Sequence, residues 1–290
     1  MSDSDSDSQP YEDPWFTDES LPAIIRAARD GDLQLLRAEL AAGASPFSTG
    51  HDDHTGSLIH LVCERSDAHC VALHYEAGES PAKEAERVAI VKELLAAGVP
   101  PDLVDPRTLP GVGWSPLHFA SYYNRPLILA ALIEAAGPNA AALVRRTTNG
   151  RMDGWRPLHT ASRAGHTECV RVLLSAGAGS DIDLLNALKQ TALQCAIGNY
   201  EIPYPRHTYP LLLAAGATIP PDADDIADRW GADKSGAAYL RKVAAAGGFP
   251  AYERTHRQAL ATKFAAKAFP RLPVEVAAQV VAFAFHVGYY

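Results

Sequence analysis

The sequence predicts an all-α fold in which helical units are stacked along the chain, and three observations carry that prediction. An eight-residue skeleton occurs twice, as WSPLHFAS at 114–121 and WRPLHTAS at 155–162, and self-similarity of this kind marks repeat architectures. Each copy is followed by an apolar stretch of helical periodicity. In the second copy, GHTECVRVLLSAGA from Gly165 to Ala178 places Val170, Leu173 and Leu174 at helical spacing before Gly177 ends the helix. Third, 290 residues with 47% hydrophobic content suffice for one elongated domain or two compact ones, and the repeat favours the elongated form.

Along the chain, the first twenty residues stand apart. Asp3, Asp5, Asp7, Glu12, Asp13, Asp18 and Glu19 place seven acids and no base there, so that only −1 of the net charge of −8 belongs to the remainder. Such a Ser/Asp-rich stretch buries too little apolar surface to fold, and residues 1–20 are expected to be a disordered acidic tail. The near-neutral remainder gives no electrostatic reason to expect a nucleic-acid partner. The start lacks the basic cap and apolar core of a secretory signal. Cys63, Cys70, Cys169 and Cys195 form neither a C-x-x-C nor a disulfide framework. The expectation is a chain with reduced thiols in cytosol or nucleus. The nearly apolar stretch from Val276 to Phe285, broken by Gln279, falls far short of the ~20 residues of a bilayer core, so no membrane span is expected.

The skeleton resembles the ankyrin repeat, G-x-T-P-L-H-x-A-A-x-x-G-H followed by V-x-x-L-L-x-x-G-A. Gly154, Pro157, Leu158, His159, Ala161, Gly165, His166, Val170, Leu173, Leu174, Gly177 and Ala178 meet it almost in full. Weaker copies align on the same frame: AIIRAARDGDLQLLRAELAAGASP from Ala23, SLIHLVCE from Ser57 with ELLAAGVPPD from Glu93, and TALQCAIGNY from Thr191 with PLLLAAGAT from Pro210. With Ile25, His60, His118, His159 and Gln194 taken as equivalent, the spacings are 35, 58, 41 and 35, against ~33 for the family. The resemblance implies an ankyrin-type helix-turn-helix solenoid over 21–219. Its five repeats are expected near 21–50, 51–104, 105–145, 146–183 and 184–219, with an insertion at 66–85. Pro116 and Pro157 suit a first helical turn, and the closing glycines suit left-handed caps.

Residues 222–290 show no further repeat. YLRKVAAAGG from Tyr239, YERTHRQALATKFAAK from Tyr252 and FPRLPVEVAAQVVAFAF from Phe269 read as helices. One reading is a C-terminal helical region that covers the last apolar face of the array. The other notes that RLPVEVAAQVVAFAF resembles the opening of an F-box, which implies a cullin ligase adaptor as partner and Leu272, Pro273, Val276, Val280 and Phe283 as the residues carrying it.

No catalytic signature is present. GVGWSP at 111–116 lacks the third glycine of a dinucleotide loop, GADKS at 231–235 lacks the glycine before lysine of a P-loop, and neither H-E-x-x-H nor G-x-S-x-G occurs. The chain is therefore read as a non-enzyme with no cofactor. His51, His54, His60, Cys63, His69, Cys70 and His74 cluster in repeat two, but their spacing fits no structural zinc pattern; His60 is the repeat's own Leu-His position, and no metal is expected. The function implied is protein binding by a scaffold or adaptor whose partner the sequence does not identify. The residues expected to face a partner are Trp114, Tyr122 and Tyr123 in repeat three and Met152, Trp155 and Arg163 in repeat four, types enriched at binding hot spots. Arg145, Arg146 and Arg151 are likewise expected to face a partner; with Arg156 and Arg163 they form a basic district suited to an acidic or phosphorylated motif, and its only acid within 145–163 is Asp153.

Overall fold

The computed structural model describes residues 21–49, 57–64, 81–104, 113–148, 154–198, 208–230, 234–267, 273 and 275–280. Among the described residues the regular structure is helical, and the only β-type pairing is an isolated bridge between Thr49 and Ser57.

The helices come in pairs. They are α1 (Ala23–Asp30) with α2 (Leu33–Ala41), α3 (Leu58–Cys63) with α4 (Pro81–Ala96), α5 (Pro116–Tyr122) with α6 (Pro126–Ala136), α8 (Pro157–Arg163) with α9 (Thr167–Ser175), and α10 (Ala192–Ile197) with α11 (Thr208–Ala214). A short α7 (Ala140–Val144) follows α6 after a 3₁₀ turn. The first members stack on one another in the order α1, α3, α5, α8, α10, and the second members in the order α2, α4, α6, α9, α11. This makes two helical layers with a continuous core between them. Ala27, Ala120, Ala161 and Ala196 are fully buried in the first layer, where the absence of a bulky side chain lets successive helices approach closely. Leu36, Leu94, Leu129, Leu173 and Leu212 fill the second layer and are likewise fully buried. The five positions aligned in the sequence all occupy the same place, the third residue after the N-cap of a first-layer helix.

Three differences from the sequence expectation have physical causes. Gly43, Gly98, Gly177 and Gly216 take φ between 91° and 99° and end their helices in the left-handed region. Gly137 instead adopts φ 51° and ψ −120°, and the chain turns through Gly137–Asn139 into α7, which accommodates the long spacing between His118 and His159. Second, residues 81–85, placed in the repeat-two insertion, form the start of the sixteen-residue α4; Glu84 on that turn has a structural task described below. Third, Pro126–Val144 has the length and apolar composition to cross a membrane, a stretch the sequence reading passes over. It folds as α6, the 3₁₀ turn and α7, with Ile128, Leu129 and Leu132 fully buried in the array.

Beyond the fifth pair, α12 (Ala223–Trp230) packs on α10 and α14 (Phe249–Lys267) on α11, with α13 (Lys234–Ala245) between them. Both layers are thereby extended, and Ile226, Leu240, Val243 and Phe249 belong to the same core as the repeats. Residues 275–280 are helical. On that stretch Ala277 is buried, whereas Val276 and Val280 are 38% and 44% exposed. Pro273 is exposed and its carbonyl accepts from the amides of Val276 and Ala277; Leu272 and Phe283 lie outside the described residues.

Candidate partner-binding surface

The surface is built on the turns that precede the first-layer helices, and the motif histidines hold those turns. In α5 the Nδ1 of His118 accepts from the Ser115 amide at 3.2 Å and meets the Ser115 hydroxyl at 2.8 Å. Its Nε2–H donates to the Trp155 carbonyl of the next repeat at 3.2 Å. His159 repeats the arrangement, accepting from the Arg156 amide at 3.2 Å and donating to the Leu184 carbonyl at 2.9 Å. In α10 Gln194 closes a reciprocal box with Thr191 at the same position. His166, at the turn between α8 and α9, donates to the Tyr122 carbonyl at 2.9 Å. Burial drives the pKa values of His118, His159 and His166 down to about 4, against a partial opposing effect from the carbonyl each ring donates to. The rings are neutral at pH 7, as the one-donor, one-acceptor roles of His118 and His159 demand.

On this frame sits an aromatic cluster. Trp114 is half-buried and meets Phe119 edge-on at 5.3 Å and Tyr122 at 5.6 Å. Tyr122 and Tyr123, also half-buried, meet at 5.0 Å. Phe119, absent from the sequence expectation, is the shared centre: it stacks on Tyr123 at 6.3 Å and meets His60 of the preceding repeat at 5.3 Å. Trp114, Tyr122 and Tyr123 are thus brought together with part of each ring open to solvent.

Trp155 requires a correction. It is 3% exposed, its carbonyl accepts from Thr148 at 2.8 Å as well as from His118, and its ring lies under the Arg163 guanidinium at 5.5 Å. The indole therefore belongs to the packing of the array, while Arg163 above it is exposed. The basic district also changes character. Asp181, distant in sequence, pairs with Arg145 at 2.7 Å and with Arg156 at 3.7 Å, and Asp102 pairs with Arg146. Arg151 and Met152 lie outside the described residues.

Two groups escape the sequence reading. Leu184, Leu185 and Leu188 stand 44%, 49% and 54% exposed on the turn between α9 and α10. A run of leucines after a helix reads as core, and only the fold turns these outward. The second group is a set of buried charges. Glu84 Oε1 accepts from the amides of Leu127 and Ile128 at 2.7 and 3.2 Å and so caps α6 from α4. Arg125 is fully buried and donates to the Glu64 carbonyl at 3.1 Å; Arg87, 2% exposed, donates to the Arg29 carbonyl at 2.9 Å. These bonds reach backbone groups 43 to 61 residues away, which no local motif announces.

The histidine and cysteine cluster of repeat two falls mostly outside the described residues. Of its members, His60 and Cys63 are fully buried. Cys63 Sγ donates to the Ile59 carbonyl at 3.1 Å, and burial raises its thiol pKa. Among the described residues no group of three metal-ligating side chains converges.

Stacked helix pairs, with buried neutral imidazoles at the turns before α5 and α8 and part-open aromatic rings outside them, make up a helical repeat array. Residues 80–204 carry ankyrin repeats: the family model for ankyrin repeats matches three copies over residues 80–183 and 138–204. Over 176 residues the chain is 28% identical to a protein of Arabidopsis thaliana named as an E3 ubiquitin-protein ligase, XBAT31, which covers 53% of this chain and 37% of that protein. Over 91 residues it is 34% identical to the ankyrin repeat and SOCS box protein 3 of Bos taurus and of Homo sapiens, 31% of this chain and 15% and 16% of theirs. The chain thus spans well under half the length of these relatives. Ankyrin repeats imply a protein–protein interaction role for this array.

Proposed function

We propose that this chain is a non-catalytic adaptor that holds a partner protein against repeats three to five. The observation that carries the reading is the half-exposed cluster of Trp114, Tyr122 and Tyr123 on a frame whose turns are pinned by buried hydrogen bonds. Aromatic side chains held rigid by their neighbours offer contact area at little ordering cost, which is where binding energy concentrates. Proximity labelling in the native cell identifies partners, and Trp114→Ala with Tyr122→Ala in the full chain tests the surface. A partner that loses about tenfold or more in affinity, with the melting curve of the array unchanged, supports it; undiminished binding moves the site elsewhere.

A second reading has a specific observation in its favour. Val276 and Val280 are exposed one helical turn apart, on the segment that resembles an F-box opening, and the relatives carry ligase or SOCS-box names. In that reading the chain is the substrate receptor of a cullin-type ubiquitin ligase. Recovery of a cullin adaptor with the full chain, abolished by Leu272→Ala with Pro273→Ala, is the expected result. An adaptor never recovered, or recovered equally with the variant, removes this reading and leaves the first intact.

A further inference from the structure

Residues 182–190 link the fourth repeat to the fifth, and this turn has an unusual construction. Asn186 is 3% exposed, and its Oδ1 accepts from the amides of Leu188 and Gln190 at 2.9 and 3.0 Å while its Nδ2 reaches Cys195 Sγ at 3.4 Å. The Asn186 amide donates to the Gln190 carbonyl at 3.0 Å, and the turn reverses through Lys189 at φ 59°. Its two flanks are fixed as well. His159 donates to the Leu184 carbonyl, and Asp183 accepts from the Thr218 amide at 3.0 Å and hydroxyl at 2.6 Å. On the fourth repeat Gly154, at φ 72°, lies so close that a Cβ there would sit 3.5 Å from the Leu185 carbonyl.

A turn this heavily fixed has every polar group needed to hold it aimed inward, yet it presents three leucines to solvent. Were the leucines needed for the fold, they would be buried; instead the buried position is taken by an asparagine. Exposed leucines on a rigid turn cost solubility, and presenting them preorganised is what favours capture of an apolar side chain. The charges around them select the occupant. Lys189 is exposed at the tip, and Arg163 is exposed on α8, near enough to Cys195 to affect its thiol. The nearby carboxylates are engaged within the chain, Asp181 by Arg145 and Arg156, Asp183 by Thr218.

We propose that the 184–188 turn is the anchoring site for a short peptide segment of a partner protein in which apolar side chains are bracketed by carboxylates. The apolar residues pack on Leu185 and Leu188, and the carboxylates face Lys189 and Arg163. This deepens the adaptor reading above by naming the partner's chemistry and extending the surface from the third repeat to the fifth.

The test uses the full chain and a phage-displayed random peptide library, panned in parallel on the wild type, on Leu185→Asp with Leu188→Asp, and on Trp114→Ala with Tyr122→Ala. Both leucines are half exposed, so the aspartates are compatible with the fold, and thermal melts check this; Leu185→Ser with Leu188→Ser replaces the aspartates if the melt shifts. The expected result is wild-type enrichment of peptides carrying Leu, Ile, Phe or Trp beside Asp or Glu. Synthetic copies then lose about tenfold or more on the leucine variant and weaken on Lys189→Glu or at high salt. Peptides that bind the leucine variant undiminished but fail on the Trp114 variant refute the leucine site while sparing the adaptor reading. Failure of every peptide on every array overturns both. Concentration-dependent self-association of the wild type that the leucine variant abolishes makes the turn a contact between copies instead, and binding to anionic phosphatidylserine vesicles that the same variant abolishes makes it a membrane contact; either result refutes the proposal.

Discussion

Mild acid should unlock the array, and the size of the effect follows from three rings. His118, His159 and His166 have pKa values of about 4 in the folded chain, lowered chiefly by burial, whereas an unfolded histidine titrates near ~6.5. Above pH 6.5 neither state takes a proton and the full stability is present. As pH falls below that, the unfolded chain protonates first, so stability drops with each unit until pH approaches 4, below which these groups add nothing more. At pH 5 each ring has lost about 2 kcal/mol. His166 is partly open to solvent and counts for less, so the three together cost about 4 to 6 kcal/mol, a large fraction of the ~5–15 kcal/mol of a whole domain. Carboxylates remain mostly ionised at pH 5 and do not mask the effect. The assay is urea denaturation followed by far-ultraviolet circular dichroism at pH 7.5, 6 and 5. A control comes from the array itself, since Gln194 occupies the same helix position and closes its own box with Thr191. His118→Gln with His159→Gln should lower stability at pH 7.5 by about 1 kcal/mol for each lost bond to the next repeat, yet remove most of the drop toward pH 5. Free energies at pH 5 and pH 7.5 within about 1 kcal/mol of each other for the wild type, or an equal drop in the glutamine variant, refute the assignment of the acid sensitivity to these rings.

Other perturbations separate frame from surface. Gly236→Ala brings a Cβ to 2.5 Å from Tyr209 Oη and 2.7 Å from its Cε2; with Tyr209 itself only 2% exposed, a loss of about 1–3 kcal/mol in thermal or urea melts is expected. Glu84→Ala strips the cap from α6, at a cost of about 0.5–2 kcal/mol readable as a lower urea midpoint. Trp155→Ala should cost about 3–5 kcal/mol because the indole is core. Arg163→Ala should cost about 0.5–1 kcal/mol of stability through the lost contact with the Trp155 ring and should also lower partner affinity, measured by titration calorimetry.

The repeat frame was legible because its signal is local. Pro116 and Pro157 begin their helices, the glycines at 43, 98, 177 and 216 end theirs, and the third position after each N-cap is the one the skeleton marks. Features fixed by distant backbone were not legible. Nothing near Arg145 foretells Asp181, nothing near Glu84 foretells the amides of α6, and a tryptophan in a turn reads as exposed until the Thr148 backbone is found bonded to it and Arg163 found over its ring. Leu184, Leu185 and Leu188 drew no notice in the sequence, because helical periodicity has no way to say that an asparagine would take the inward position.

These two kinds of error share a cause that bears on recognition. In a stacked array the inward-facing polar groups must satisfy carbonyls and amides of the adjacent repeat, so charge and imidazole are drawn inward wherever repeats meet: Arg87, Arg125, His118 and His159 all donate to main-chain oxygens of a neighbouring segment. Once those groups and the arginines paired to Asp102 and Asp181 are committed, the basic character visible in the sequence is largely consumed by the fold. Among the described residues, ring and leucine surface stands open there, with Arg163 and Lys189 exposed beside it. The bond that His159 donates also fixes the Leu184 carbonyl, so the rigidity that makes the outer turn a competent anchor comes from the interior ladder. Charge steers the partner in; the affinity has to come from apolar contact on a frame that the buried rings hold still.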